Sequence, residues 1–231
     1  MLGLFPIELS PCFFATAISL KCYEIDKALV DRRKLFHSCP ALPEDIQNSV
    51  ESRKIEYLAG RYCAGQALGQ LGAFTSIIGR NDDGSPHWPM GTLGSLSHTS
   101  DRVSACVAYQ SEWIGLGIDV ERIIEKPMLQ PLESLVFTIA DKLQIDQVKL
   151  PLLEAATLVF SAKESFFKFI YPQTHALLDF RDVSLLEIKD GEFVIGINKD
   201  LGIKWRKGNQ VLGRYLFESN NVITLIAEGK P

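Results

Sequence analysis

The sequence predicts an α+β protein of two similarly sized pseudo-symmetric lobes, each a small antiparallel sheet packed on a long helix. Three observations point there. Each half of the chain carries one long stretch with helical signals. Paired apolar runs separated by short polar turns read as antiparallel hairpins around them. The length of 231 residues suits one large domain or two small ones, and no linker or low-complexity run interrupts it. The division is placed at residues 1–113 and 114–231, with the lobes meeting near Trp113–Gly115. The halves show no obvious sequence repeat, which leaves internal duplication open.

Taken in order, the start "MLGLFPIELSPCFFATAISL" has an apolar look but no Lys or Arg before Lys21, carries Glu8, and is interrupted by Pro6 and Pro11. It reads as a mature N-terminal segment with a strand around Cys12–Ile18, not a secretory leader. Pro43–Gly72 reads as one long helix, capped by Asp45 or a neighbour and stopped by Gly72. Gly79–Ser95 is too rich in Gly and Pro for a regular element. "VSACVAYQSEWIGLGIDVE" holds two apolar runs around Gln110–Glu112, predicting a hairpin. "RIIEKPMLQP" after Glu121 reads as a proline-bounded loop, whose Ile123, Ile124 and Met128 either pack the second lobe or meet a partner. Pro151–Tyr171 predicts a second long helix stopped by Pro172. Two more hairpins follow, turning at Asp190-Gly191 and at Asn220-Asn221.

Composition excludes several classes. The net charge is −4, which argues against a nucleic-acid binder, because that needs a large positive surface. No apolar run reaches membrane-spanning length. The five cysteines are odd in number and form no CxxC pair, so reduced thiols in a cytoplasmic protein are expected.

The chemistry concentrates in a few short stretches. "FSAKESFFK" sets Glu164 on a helical stripe with Phe160, Phe167 and Tyr171, and an ionised carboxylate there needs a cation or donors. In "GIDVE", Asp119 and Glu121 project from one face of a strand. That pair is either a solvated strand end or part of a site for a hard cation such as Mg²⁺, for which Glu164 would be a third carboxylate. Glu164 and Lys168 are either an ordinary i,i+4 pair or, with Lys163, a means of neutralising phosphate charge. Lys54 and Arg61 share a helix face with Arg53 close by: a solvated side, or a phosphate site suited to guanidinium. "GSLSHTS" adds hydroxyls and His98 but fits no phosphate-loop fingerprint.

In this order, "EYLAGRYCAGQAL", "SPHWPMGTLGSLSHTS", "GIDVE" and "FSAKESFFK" resemble the 4′-phosphopantetheinyl transferases of the surfactin-synthetase-activating type, with wording nearest the enterobactin-synthase component D branch. The resemblance spans about residues 50 to 172 and implies transfer of phosphopantetheine from coenzyme A to a serine of an acyl, peptidyl or aryl carrier domain, releasing 3′,5′-ADP. It implies Asp119, Glu121 and Glu164 as ligands of Mg²⁺, with Mn²⁺ the other candidate, and Glu164, Lys163 and Lys168 as the catalytic set. It assigns Lys163 and Lys168 to phosphate, Ser97 and His98 to phosphate, Arg61 to the nucleotide 3′-phosphate, and Arg53 to the basic position upstream. Gly84, Ser85 and Pro86 fall on the adenine side, with Ser85 replacing a residue that is often basic in relatives. The resemblance favours siderophore or nonribosomal peptide synthesis. One chain supplying both lobes points to a monomer. A non-catalytic coenzyme A or carrier-binding relative and a metal-dependent phosphodiesterase are the competing readings.

Overall fold

The computed structural model describes residues 2–9, 17–35 and 42–231. The strand expected around Cys12–Ile18 lies mostly outside them, and the described chain enters a strand only at Ser19. The protein is α+β and forms two compact units, Met1–Leu116 with Gly229–Pro231, and Gly117–Glu228. This division falls at 116/117 where the sequence reading put it at 113/114, and it returns the last three residues to the first unit.

The first unit runs β1 (Leu4–Pro6), β2 (Ser19–Ile25), α1 (Arg32–Leu35), α2 (Glu44–Gln47), α3 (Glu51–Leu71), β3 (Gly79–Arg80), β4 (Pro86–His87), β5 (Thr92–His98) and β6 (Arg102–Tyr109). Its main sheet is antiparallel in the order β1-β2-β6-β5, with Ser19 opposite Val107 and Ser97 opposite Ser104. Helix α3 packs on it through Ile55, Leu58, Ala59, Cys63, Ala64, Ala67 and Leu68, against Val103, Ala105 and Val107. The small side chains at 59, 63, 64 and 67 let helix and sheet approach closely.

The single long helix expected over Pro43–Gly72 is two helices. Ser49 Oγ donates to the Ile46 carbonyl oxygen at 2.7 Å, and Val50 is extended at φ −63°, ψ 154°. A hydroxyl that bonds local backbone competes with helix continuation, and that interrupts the element. The N-cap of α2 is Pro43, not Asp45, whose carboxylate accepts from both guanidinium nitrogens of Arg80 at 2.6 and 3.0 Å. Gly72 ends α3 in the left-handed region at φ 80°, as its position predicts. The Gly79–Ser95 stretch holds more order than expected: β3 and β4 form a short ribbon, and β5 begins at Thr92.

The second unit is built from β7 (Trp113–Arg122), α4 (Lys126–Leu135), α5 (Ile139–Gln147), α6 (Leu152–Thr174), β8 (Val183–Lys189), β9 (Glu192–Ile197), β10 (Gln210–Glu218) and β11 (Asn221–Gly229). The sheet order is β7-β11-β10-β9-β8. Helix α6 lies on this sheet, and Leu158, Ala162, Phe166, Phe169 and Ile170 enter a core with Val183, Ile195, Val222 and Ile226.

Several expectations change here. Strands β6 and β7 are not a hairpin: a turn joins Glu112 N–H to the Tyr109 carbonyl, but β6 pairs with β2 and β5 while β7 pairs with β11. A turn signal reports a chain reversal, and both edges of β6 are already occupied. The Asp190-Gly191 turn is as predicted, with φ of 50° and 83°. The β10–β11 turn sits one residue earlier than expected, at Ser219-Asn220, with Glu218 opposite Asn221. Helix α6 continues through Pro172 and ends at left-handed His175. A proline so near the end removes one backbone donor, and His175 N–H still reaches the Tyr171 carbonyl.

The proline-bounded "loop" is helix α4, with Pro127 in its first turn, where the missing N–H costs nothing. Ile123, Ile124, Leu129 and Leu132 pack against the core, whereas Met128 is exposed. Helix α5 carries a reciprocal Thr138/Asp141 capping box. Among the described residues, no helix is long and apolar enough to cross a membrane.

Candidate active site

In the second unit, β7 and α6 bring the predicted acids together. Alternation along β7 puts Gly117, Asp119 and Glu121 on one face. A Cβ at Gly117 would stand 1.9 Å from the Ser165 carbonyl oxygen and 2.7 Å from Phe169 N, so the strand presses on the backbone of α6. Ser161, Glu164 and Lys168 share one side of that helix by their i, i+3, i+7 spacing. Asp119 is buried between the two elements; its Oδ2 accepts from Ser161 Oγ at 2.7 Å and its Oδ1 from Lys168 Nζ at 2.6 Å. Thr224 Oγ1, on β11, lies 2.9 Å from Ser161 Oγ. An ionised carboxylate only accepts, so Ser161 must be the donor to Asp119.

Burial and the neighbouring Asp119 push the Glu121 carboxyl up to about 8, with Glu164 adding to the rise and Lys168 opposing it. Burial, and then Asp119, also raise Glu164, again against Lys168. These shifts describe a negative cluster that one ammonium does not fully compensate. The donors are hard oxygens of the kind Mg²⁺ takes. The arrangement is less ready than the chemistry: among the described residues, no three His, Cys, Asp or Glu side chains are gathered as a ligand group. The ammonium of Lys168 holds the Oδ1 face of Asp119.

Lys163 goes elsewhere. It is fully buried, and its Nζ donates to Asp141 Oδ2 at 2.5 Å and to the carbonyl oxygens of Val136 and Phe180, both at 2.9 Å. Burial pushes this ammonium below its ordinary range, and Asp141 works against the shift. Adjacent helix residues diverge by about 100°, so Glu164 and Lys163 cannot face one site. The expectation that Lys163 contacts phosphate is therefore corrected: all three of its donors are engaged inside the protein. The aromatic stripe is also shallower than expected, since Phe160 and Phe167 are half-buried against Phe180, with ring centres 5.5 and 5.1 Å apart.

In the first unit, α3 and β5 bring Arg53 and His98 together, with Arg53 Nη1 2.6 Å from His98 Nε2. Arg61 is buried on α3; its guanidinium lies 4.6 Å over the Tyr57 ring, and Nη2 donates to Tyr57 Oη at 3.0 Å. Its Nη1 is buried with no hydrogen-bond partner among the described residues. A buried guanidinium with a spare donor suits an anion. Ser97 is buried and, by strand alternation, its hydroxyl points to the face opposite His98. Gly84 takes φ 87° in the β3–β4 turn, Ser85 Oγ donates to Asp83 Oδ1 at 2.6 Å, and Pro86 pairs across the ribbon with Arg80.

Residues 42–108 match the 4′-phosphopantetheinyl transferase N-terminal domain, and residues 115–224 match the 4′-phosphopantetheinyl transferase superfamily. The transferase Npt of Nocardia iowensis is 32% identical over 66% of this chain and 68% of its own length. The chain belongs to the 4′-phosphopantetheinyl transferase superfamily. Enterobactin synthase component D of Salmonella typhimurium is 37% identical over 53% of this chain and 50% of its own. The transferase PptT of Mycobacterium tuberculosis is 32% identical over 62% and 64% respectively. The match thus spans between half and about two thirds of these relatives' own lengths. A holo-[acyl-carrier-protein] synthase structure from Thermotoga maritima aligns weakly, with a TM-score of 0.41 and 24% identity over 52% of this chain and 65% of its own.

Four side chains of this chain carry contacts that the sequence alone did not single out. Ser161 lies inside the motif already quoted, four residues before Ser165 on the face that meets β7. Tyr57 stands four residues before Arg61, a spacing that could have flagged it. Thr224 and Asp141 carry no local signal, because their partners are 63 and 22 residues away.

Proposed function

We propose that the chain transfers the 4′-phosphopantetheine group of coenzyme A to a serine of an apo carrier-protein domain and releases 3′,5′-ADP. Family membership supports this reading, and the observation that carries it in this chain is the grouping of Asp119, Glu121, Glu164 and Lys168. In the reaction, the serine Oγ bonds to the phosphorus attached to pantetheine, the bond from that phosphorus to the 5′-phosphate oxygen of 3′,5′-ADP breaks, and the serine proton leaves. Glu164 takes that proton, directly or through water; its raised pKa suits a general base. Lys168 offsets charge on the transferring group.

Asp119, Glu121 and Glu164 would hold Mg²⁺, with Mn²⁺ the alternative, and the cation would neutralise pyrophosphate charge when bound. Arg61, with its spare buried donor, is assigned to the nucleotide 3′-phosphate. Arg53, with His98 beside it, is assigned to phosphate, and Gly84, Ser85 and Pro86 to the adenine side; Ser97 is left out because its hydroxyl points to the face opposite His98. Lys163 is left out of the set because it is buried. The enterobactin relatives favour a carrier from siderophore or nonribosomal peptide synthesis. We place the reaction in the cytoplasm, carried out by a monomer; five cysteines, odd in number and without a CxxC pair, favour a reducing compartment.

The test incubates the chain with coenzyme A, Mg²⁺ and a panel of apo-carriers and follows intact mass. One phosphopantetheine should be added to at least one carrier, and EDTA should abolish the addition. Coenzyme A binding without transfer to any carrier would favour the non-catalytic relative instead, and undiminished transfer in excess chelator would remove the metal.

A further inference from the structure

One carboxylate lies among the cations of the first unit. Glu56 sits on α3 one turn after Arg53, with its side chain only 16% exposed. Its Oε1 accepts from Lys27 Nζ at 2.8 Å. Its Oε2 lies 3.9 Å from Arg53 Nη1 and 3.8 Å from His98 Nδ1. Lys27 follows β2 and His98 ends β5, so a single acid ties three separate elements together. A guanidinium has no acceptor, so His98 Nε2 must accept from Arg53 at 2.6 Å. The ring proton is then on Nδ1, the nitrogen that faces Glu56.

On charge alone, an acid here should oppose an incoming anion, since a unit charge at such range still acts through the partly buried medium. On geometry it does the reverse. Lys27 and Arg53 repel one another, and the carboxylate between them lets both gather beside His98. It also favours one orientation of the imidazole. The two effects on anion affinity have opposite signs, so an experiment can separate them.

We propose that Glu56 is a positioning residue: it holds Lys27 and Arg53 beside the His98 ring, so that the two cations receive a phosphate of the 3′,5′-ADP portion of coenzyme A. This rests on the transferase reading above.

Calorimetric titration of the full chain with 3′,5′-ADP and with coenzyme A tests it, using Glu56→Gln, Glu56→Asp and, as a remote control, the exposed β8 residue Glu187→Gln. Titrations are run well below each variant's melting temperature, so that only folded protein is compared. Glu56→Gln should weaken 3′,5′-ADP binding by about tenfold or more, as losing a charged hydrogen-bond partner does. The loss should fall more on the Michaelis constant for coenzyme A than on kcat. Glu56→Asp should recover part of it, and Glu187→Gln should match the unaltered chain. Unchanged or tighter binding by Glu56→Gln would overturn the proposal alone, as would a lower melting temperature with unaltered affinity. Failure of the unaltered chain to bind either ligand would overturn the transferase reading, and this proposal with it.

Discussion

Lys163 Nζ stands 2.5 Å from Asp141 Oδ2, and both side chains are wholly excluded from solvent. Asp141 also accepts from Thr138 N and Leu185 N, so this one pair joins α5, α6 and β8. Removing one partner of a buried ion pair strands the other, at a cost of about 3–5 kcal/mol. Lys163→Ala should therefore lower stability by that order in urea unfolding. The Michaelis constant for coenzyme A, measured on protein that remains folded, should stay close to normal. Lys168→Ala should cause a large loss of turnover and a smaller loss of stability than Lys163→Ala, because its side chain is 30% exposed although its partner Asp119 is buried. Equal effects on coenzyme A kinetics would return Lys163 to the phosphate.

Ser161→Ala removes the hydroxyl that holds Asp119 Oδ2. Loss of such an orienting partner typically costs about 10–100-fold in metal affinity or activity. The expected outcome is a higher Mg²⁺ concentration for half-maximal transfer, read from a metal titration, in a protein that still folds. An unchanged Mg²⁺ requirement would mean that Lys168 and packing alone orient Asp119.

Gly117→Ala would force a methyl group into the Ser165 carbonyl and part β7 from α6. Overpacking of this kind costs about 1–3 kcal/mol or more. Because Asp119 lies two residues along the same strand face, turnover should fall together with the melting temperature. Gly69→Ala, on α3 with nothing near the added carbon, should be harmless or slightly stabilising. A variant at 117 that melts normally and transfers normally would contradict this strand–helix contact.

Arg61→Ala should raise the Michaelis constant for coenzyme A far more than that for 3′-dephospho-coenzyme A. The reason is its buried Nη1, which has no partner among the described residues and is assigned to the phosphate that the second substrate lacks. Equal losses for both substrates would move Arg61 off that phosphate and leave it as the packed partner of Tyr57.

The sequence by itself determined what depends on local periodicity and local turn chemistry. The stop of α3 at Gly72 and the Asp190-Gly191 turn follow from left-handed backbone that glycine accepts readily. The shared face of Asp119 with Glu121, and of Glu164 with Lys168, follows from the strand and helix repeats. Only the tertiary structure decided which partners those elements meet. Strand β6 already has β2 and β5 on its edges, so β7 joins β11 although a short turn links it to β6. Lys163 and Lys168 look alike in "KESFFK", yet their places on α6 differ by five residues, about 500° of helical rotation, which leaves them some 140° apart. That turns Lys163 into the core toward Asp141 and Lys168 toward Asp119. Whether a charged side chain is structural or available for chemistry depends on what faces it across the fold, and no local pattern encodes that.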